Sequence, residues 1–204
     1  MRALCFYSYP KDRSEFSIRA HRLTKIESEF ETIHSKVSGT DVAYKNNDVF
    51  CYVAVADMLV DDEDNEDGYV PEDPALVIPG TNQIVCGTIE LNVGVNLPAE
   101  ELVGALPIEN ARTKRCYLSN VCVLKAYRNL GIAKHLIERA IDDARTKRRV
   151  EEVYVHVVSD NVAAKRLYEK SGIVKESRET AKEVLQRRHP AREILRYIRP
   201  SKKS

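Results

Sequence analysis

Arg128-Asn129-Leu130-Gly131-Ile132-Ala133 stands between two segments of different period. Tyr117 to Val123 before it is apolar and reads as a strand, and Lys134 to Arg145 after it reads as an amphipathic helix. A strand, a short glycine-bearing loop and a helix N-terminus make a site for a phosphorylated ligand. First-turn N–H groups have no intrahelical partner and the helix dipole is positive there, so phosphate oxygens can take those donors. Gly131 has no Cβ to block a pyrophosphate, small Ala133 keeps the next contact open, and Arg128 adds a fixed cation at the loop's edge.

Downstream, Val153-Tyr154-Val155-His156-Val157 alternates like a strand, and the stretch from Asp160-Asn161 through Leu167-Tyr168 to Gly172 reads as a helix. Residues 128–133 match the Arg/Gln-x-x-Gly-x-Gly/Ala pattern of the GCN5-related N-acetyltransferases (GNAT superfamily), and 160–172 resemble that family's following helix. Two motifs in the right order and separation carry the resemblance, which covers roughly residues 84–199 well and the earlier part by general architecture. It implies an α/β (α+β) fold: a single mixed, mostly antiparallel β-sheet of about seven strands, flanked by helices on both faces. One domain then spans 1–204, with an acceptor-side half over about 1–111, an acetyl-CoA-binding core over about 112–172 and C-terminal strands over 173–199.

Composition agrees with one domain, since 204 residues can bury one real core and are short for two. No apolar run approaches the ~20 residues that a bilayer span needs, so no membrane span is expected. Met1 to Tyr7 carries no cleavable signal pattern and reads as a mature or trimmed start. The five cysteines, at 5, 51, 86, 116 and 122, form no Cys-x-x-Cys pair. No Cys/His cluster has zinc-ligand spacing, so no metal is expected. Cys116 and Cys122 share one strand, about 20 Å apart at ~3.3 Å per residue, too far to bridge. Dispersed thiols in odd number argue for a reducing compartment.

The net charge of +1 hides a sharp division. Fourteen carboxylates and no Lys or Arg lie between Asp48 and Glu109, whereas residues 112–204 hold 24 Lys/Arg against 11 Asp/Glu. The basic part contains the proposed phosphate loop and suits polyanionic CoA; the acidic part would attract a cationic amine. Much of the acidity falls in Asp61 to Asp67, within a loop over 58–75 expected to be solvated and mobile. Lys147-Arg148-Arg149 and Gln186-Arg187-Arg188 come without a nucleic-acid motif or aromatic platform, so they read as solvated faces and no nucleic-acid partner is expected.

Residues 2–9 can form a first strand stopped by Pro10. Ala20, Leu23, Ile26, Phe30, Ile33 and Val37 recur at helical steps within an amphipathic region over 14–37. Val49 to Ala56 reads as a strand buried on both faces or nearly so, and Ile84 to Val93 as the third strand. A loop over 94–111 could carry a helical turn near Glu100. Val174 to Thr180 and Ile194 to Arg199 read as the final strands, separated by a basic helical or loop excursion over 183–190.

In the family, the strand before the loop and the strand after the helix splay apart, and the pantetheine arm fills the gap. The resemblance therefore implies main-chain contacts from Val121, Cys122 and Val123, and a pyrophosphate cradle from Arg128, Asn129, Leu130, Gly131, Ile132, Ala133 and Lys134. Asn161, Val162 and Ala163 would contact the pantetheine arm. Val121 and Val123 also suit plain core packing, and Cys122 reads as a small hydrophobe rather than a nucleophile. Asn161 doubles as a helix cap. Tyr168 matches a tyrosine that protonates the departing CoA thiolate; its reference pKa near 10 exceeds the ~8.5 of a thiol, so its proton is available. A core tyrosine is the plain alternative.

An amine must be neutral to attack, so a base acting through water is expected. Glu90 is the first candidate and Asp57 the second, both on the acidic side, with surface solvation as the alternative for each. The family's fourth-strand carboxylate is missing from Cys116-Tyr117-Leu118-Ser119-Asn120-Val121, where Tyr117, Ser119 or Asn120 could hold the water instead. His156 alternates with apolar neighbours and reads as structural. Ile173 replaces the family's usual Phe, a change of packing.

The resemblance thus implies an acetyl-CoA-dependent N-acetyltransferase working by direct transfer to a primary amine, a protein N-terminal α-amine or a lysine ε-amine. A small arylalkylamine of the serotonin type is the alternative acceptor, and a non-catalytic CoA-binding regulatory domain the alternative class. The strand residues 117–123 and 154–157 are especially similar to the plant plastid group. That similarity implies the chloroplast, with the transit peptide absent from this chain, and otherwise the cytoplasm or nucleus. A monomer or weak homodimer is expected.

Overall fold

Apolar positions three and four residues apart build the helix after the glycine loop. Helix α1 (Ile132–Thr146) buries Leu136, Ile137, Ala140, Ile141 and Ala144 and leaves Lys134 and Glu138 outside, paired at 3.4 Å. Burying each of its large aliphatic side chains contributes roughly 1.5–3 kcal/mol. The computed structural model describes residues 35, 38, 47–58, 76–94, 97, 114–187 and 190–197. The strand expected over 2–9, nearly all of the helix over 14–37, the acidic loop and the turn near Glu100 lie outside the described residues.

Six strands are described: β1 (Asn47–Asp57), β2 (Gln83–Gly94), β3 (Arg115–Val123), β4 (Glu152–Val158), β5 (Ile173–Arg178) and β6 (Arg192–Tyr197). They form one sheet in the order β1-β2-β3-β4-β6-β5, in which only the β3–β4 neighbours are parallel. Helix α2 (Val162–Lys170) links β4 to β5, and a short α3 (Ala181–Arg187) occupies the basic excursion before β6. The expected mixed, mostly antiparallel sheet is present, with six strands among the described residues where about seven were expected.

Both crossovers, β3-α1-β4 and β4-α2-β5, step across the sheet in the same direction. Right-handed connections then place α1 and α2 on one face. One apolar cluster accordingly joins Leu136, Ile137, Ala140, Ile141 and Ala144 of α1 and Tyr168 of α2 with Ile89, Leu91, Cys116, Leu118, Val153, Val155 and Leu195. Alternate residues point to the other face, where Tyr117, Tyr154 and Ile194 pack with Leu97, and where Glu90 and Asn92 are buried.

One burial expectation fails. β1 alternates instead of being buried on both faces: Phe50, Tyr52 and Ala54 pack on the main cluster, while Val53 and Val55 are 52% and 43% exposed. Among the described residues β1 pairs only with β2 and stands at the edge of the sheet. Its run of apolar residues therefore mimics a central strand.

α1 is tied to this edge by polar contacts as well. Tyr52 donates to Oδ2 of buried Asp143 at 3.1 Å, Lys147 Nζ lies 3.0 Å from Oδ1, and Arg148 sits 3.5 Å over the Phe50 ring. Burial alone would raise the Asp143 carboxyl, but hydrogen bonds from Lys147 and Tyr52 and the charge of Arg139 outweigh it and hold it below the usual range. At the opposite end of the helix, Gly87 lets α1 approach β2: an added Cβ would lie 3.0 Å from Ile132 Cγ2 and 3.1 Å from Leu136 Cδ1.

Tyr52→Phe removes a hydrogen bond to a charged acceptor and is expected to cost about 1 kcal/mol, or ~2–4 °C in Tm. A carboxyl lowered in the folded state stabilises above its unfolded titration and loses that contribution as pH falls through its folded value. The deficit of the variant should therefore shrink in acid. Parallel thermal melts from neutral to strongly acidic pH check this; a constant deficit would show that the bond contributes nothing through the charge.

Candidate active site

Parallel pairing of β3 with β4 lasts three rungs, Arg115↔Glu152, Cys116↔Val153 and Tyr117↔Tyr154. Beyond them β3 runs on to Val123 held only by β2, and β4 runs on to Val158 held only by β6. The two strands diverge and leave a gap between their facing edges, with α1 starting just past its open end. This is the splay that the resemblance implied, and Val121, Cys122 and Val123 lie along it.

A bulge sharpens the divergence. Glu90 pairs with Ser119 and Thr88 with Cys122, so Asn120 and Val121 together oppose Ile89. Asn120 takes φ 55°, a left-handed conformation that asparagine tolerates better than most residues. Cys122 is 4% exposed in the strand and reads as core; Cys116 on the same strand is buried and its thiol is pushed up by desolvation. Neither has the character of a nucleophile.

The loop after β3 is fixed from below. Leu124 N–H donates to Cys86 O at 2.9 Å, the Tyr127 hydroxyl donates to Asp57 O at 3.0 Å, and Arg128 Nε donates to Val123 O at 3.1 Å. Asn129 and Gly131 are both left-handed, at φ 65° and 79°. Together they curl the backbone before the first turn of α1, an arrangement that concentrates N–H groups for an anion. Gly131 is the N-cap and supplies no side-chain cap, and no acidic residue lies in the first turn. The donors of Ile132, Ala133 and Lys134 therefore meet no competing carboxylate of the helix itself.

Across the gap, Asn161 caps α2, its Oδ1 accepting from Ala164 N–H at 3.1 Å, and Gly172 (φ 77°) ends the helix. The cap role read from the sequence is thus real, and the side-chain NH2 makes no bond to the described residues. Val162 and Ala163 form the exposed first turn beside it. Tyr168 is 6% exposed within the main cluster, and its hydroxyl has no partner among the described residues. Burial pushes its pKa up, so it stays protonated well beyond neutral pH.

The opposite face of the gap holds a pair that the sequence reading passed over. The Tyr117 hydroxyl and His156 Nδ1 are hydrogen bonded, with ring centroids 5.8 Å apart. Tyr117 sits on the last β3–β4 rung and His156 two residues past its partner Tyr154, so the pair stands at the apex of the gap. The available signal was parity: parallel strands that align 117 with 154 put 117 and 156 on one face. His156 was read as structural because its own strand alternates; its role is visible only against the neighbouring strand.

Glu90 and Asp57 are not brought together. Glu90 is 3% exposed on β2, its carboxylate accepting from Ser119 Oγ at 3.2 Å and from Asn120 Nδ2. Asp57 is exposed at the far end of β1, opposite Gln83, on the side of the phosphate loop. No group of three or more His, Cys, Asp or Glu among the described residues is placed to hold a metal ion, and no described helix is long and apolar enough to cross a membrane.

A family model for the acetyltransferase (GNAT) family matches residues 44–173. The chain belongs to that family. It is 31% identical over 189 residues to the chloroplastic GCN5-related N-acetyltransferase 7 of Arabidopsis thaliana, covering 92% of this chain and 67% of that protein. It is 36% identical over 96 residues to the chloroplastic GCN5-related N-acetyltransferase 6 of the same plant, covering 43% of this chain and 33% of the relative. The crystal structure of Arabidopsis thaliana NAA60 in complex with acetyl-CoA aligns at 20% identity and a TM-score of 0.46, over 56% of this chain and 65% of that one.

If the loop holds the pyrophosphate of acetyl-CoA, the ligand should raise Tm by several degrees at saturation, following mass action. Gly131→Glu is expected to abolish that shift. Gly131→Ala separates charge from strain: φ 79° disfavours any Cβ, yet the nearest side-chain atom, His135 Nδ1, is 3.5 Å away, so the alanine variant should lose stability but keep part of the shift. An undiminished shift in the glutamate variant would place the pyrophosphate elsewhere.

Proposed function

We propose that this chain transfers the acetyl group of acetyl-CoA to a primary amine by direct attack in a ternary complex, with a protein N-terminal α-amine or a lysine ε-amine as acceptor. The observation that carries the reading is the gap between β3 and β4, flanked by a helix N-terminus without a side-chain cap, by Tyr168, whose hydroxyl makes no bond to the described residues, and by a hydrogen-bonded Tyr–His pair. Family membership supports the reaction class. The names of both chloroplastic relatives support a plastid location.

In this reading the pyrophosphate takes the loop from Arg128 to Lys134, and the pantetheine arm lies between the strand edges, against Val121 to Val123 and the start of α2 from Asn161 to Ala163. Backbone N–H groups at the bulge polarise the thioester carbonyl. The amine nitrogen attacks the carbonyl carbon and the C–S electron pair leaves on sulfur. Tyr168, kept protonated by its burial, gives its proton to sulfur as the C–S bond breaks, and the second proton shed by the new amide nitrogen returns to the phenol through solvent. The acceptor ammonium loses its proton through water to the Tyr117 oxygen, while the phenol proton passes to His156 Nδ1. The charge of the acidic stretch from Asp48 to Glu109 favours cationic acceptors, through a field screened over ~8 Å at physiological salt.

Tyr168→Phe is expected to lower kcat by roughly 10- to 1000-fold with little change in the KM for acetyl-CoA, as for loss of a general acid. Full activity would return Tyr168 to the core and leave water as the acid. His156 must be neutral to accept a proton, so kcat/KM should fall as the imidazole protonates in acid, and His156→Gln should flatten that limb while lowering kcat. An acid limb unchanged in the variant assigns the base to another group. Competition among peptides with free N-termini, peptides with internal lysines and arylalkylamines decides the acceptor.

A further inference from the structure

The β3 bulge is gripped from β2 by side chains that the transfer steps above do not use. Thr88 Oγ1 donates to Asn120 O at 3.2 Å, Asn120 Nδ2 donates to Glu90 Oε1, and Ser119 Oγ donates to Glu90 Oε2 at 3.2 Å. Behind them Asn92 Nδ2 donates to Ser119 Oγ at 3.1 Å and orients that hydroxyl toward the carboxylate. Glu90 is 3% exposed and has no Lys, Arg or His partner among the described residues. A buried carboxylate served only by neutral donors is costly to keep, and removing it would leave Ser119 and Asn120 unsatisfied in turn.

What this grip holds is the left-handed turn of the backbone at the bulge. Asn120 at φ 55° is the residue where the strand changes course, and a left-handed non-glycine residue persists only when its surroundings over-determine it. The two residues of the bulge border the gap in which the thioester lies. Glu90 itself sits on β2, separated from the gap by β3, with both oxygens engaged in the grip.

We propose that Glu90 acts as a positioning residue for acetyl transfer, fixing the Asn120–Val121 backbone at the gap through Ser119 and Asn120, and does not take the amine's proton. Thr88 completes the grip from the carbonyl side. The proposal rests on the reading of the gap as the thioester site, because only there does a misplacement of the bulge by a fraction of an ångström alter turnover.

The test compares the full chain with Glu90→Gln, Glu90→Ala and Thr88→Val, using acetyl-CoA and a peptide amine, together with amide hydrogen exchange over residues 118–123. Glu90→Gln keeps an oxygen for Asn120 and a polar contact for Ser119, so it should stay within about 5-fold of the parent kcat with the same pH profile. Glu90→Ala should lose kcat by about 30-fold or more, change the KM for acetyl-CoA by less than about 3-fold and exchange faster at the bulge. If the alanine variant does not fold, Thr88→Val carries the same expectation at several-fold size, with the carboxylate intact.

A glutamine variant as inactive as the alanine one, with the acid limb gone, would make Glu90 the base and overturn the proposal. So would parent-like turnover and exchange in both Glu90→Ala and Thr88→Val. Should the parent chain bind acetyl-CoA yet acetylate no amine, the transfer reading fails, and the exchange rates still decide whether Glu90 holds the bulge.

Discussion

Everything at this site follows from the shortness of the β3–β4 ladder. A parallel pair could extend along both strands, but here it stops after Tyr117 and Tyr154, while each strand stays paired on its outer edge, β3 with one bulge. The cost of the splay is therefore confined to the inner edges. A strand edge inside a domain carries donors and acceptors that need partners, and a ligand with amide groups can supply them. The bulge at Asn120 turns β3 away, and the crossover through α1 carries the chain over one face to reach β4. Closing the gap would require both the bulge and the β2 register to change together.

The loop that feeds α1 is aimed by contacts well outside it. Gly87 allows α1 to sit low on β2, Cys86 and Asp57 hold the turn through their carbonyls, and left-handed Asn129 and Gly131 set the curl. Each of these is a backbone device, which suits a site that must recognise phosphate by geometry and dipole rather than by a paired side chain. At the far end of α1, Asp143 ties the helix to β1 through Tyr52. Both ends of one helix are thus fixed to different strands, and its N-terminus is held still relative to the gap.

The cofactor side of this arrangement was legible in the chain because its signals are local. Gly131 before an amphipathic run, Asn161 as a cap and Gly172 as a helix stop are each decided within a few residues, and the structure places all three as read. The acceptor side was not, because its meaning depends on neighbours distant in sequence. Val49 to Ala56 reads as a central strand until one knows that β1 has a single described partner. His156 reads as filler until β3 supplies Tyr117. Glu90 attracts attention as a carboxylate on the acidic side, yet only the register with Ser119 and the left-handed Asn120 show where its oxygens are engaged.

The two groups proposed to handle protons lie on opposite faces of the sheet, and this has a chemical consequence. Tyr168 belongs to the α1/α2 face, whereas Tyr117 and His156 belong to the other. In the proposed reading a thioester threaded through the gap would present its sulfur to one face and its carbonyl carbon to the other. An acid beside the attacking amine would hold it as ammonium, and a base beside the sulfur would leave the thiolate charged in an apolar surround; separation by the thickness of a sheet prevents both. The apolar cluster that raises the Tyr168 phenol also disfavours a bare thiolate next to it, so the same burial that weakens the acid increases the need for its proton. The parallel strands that make the gap therefore also keep the proposed acid and the proposed base apart.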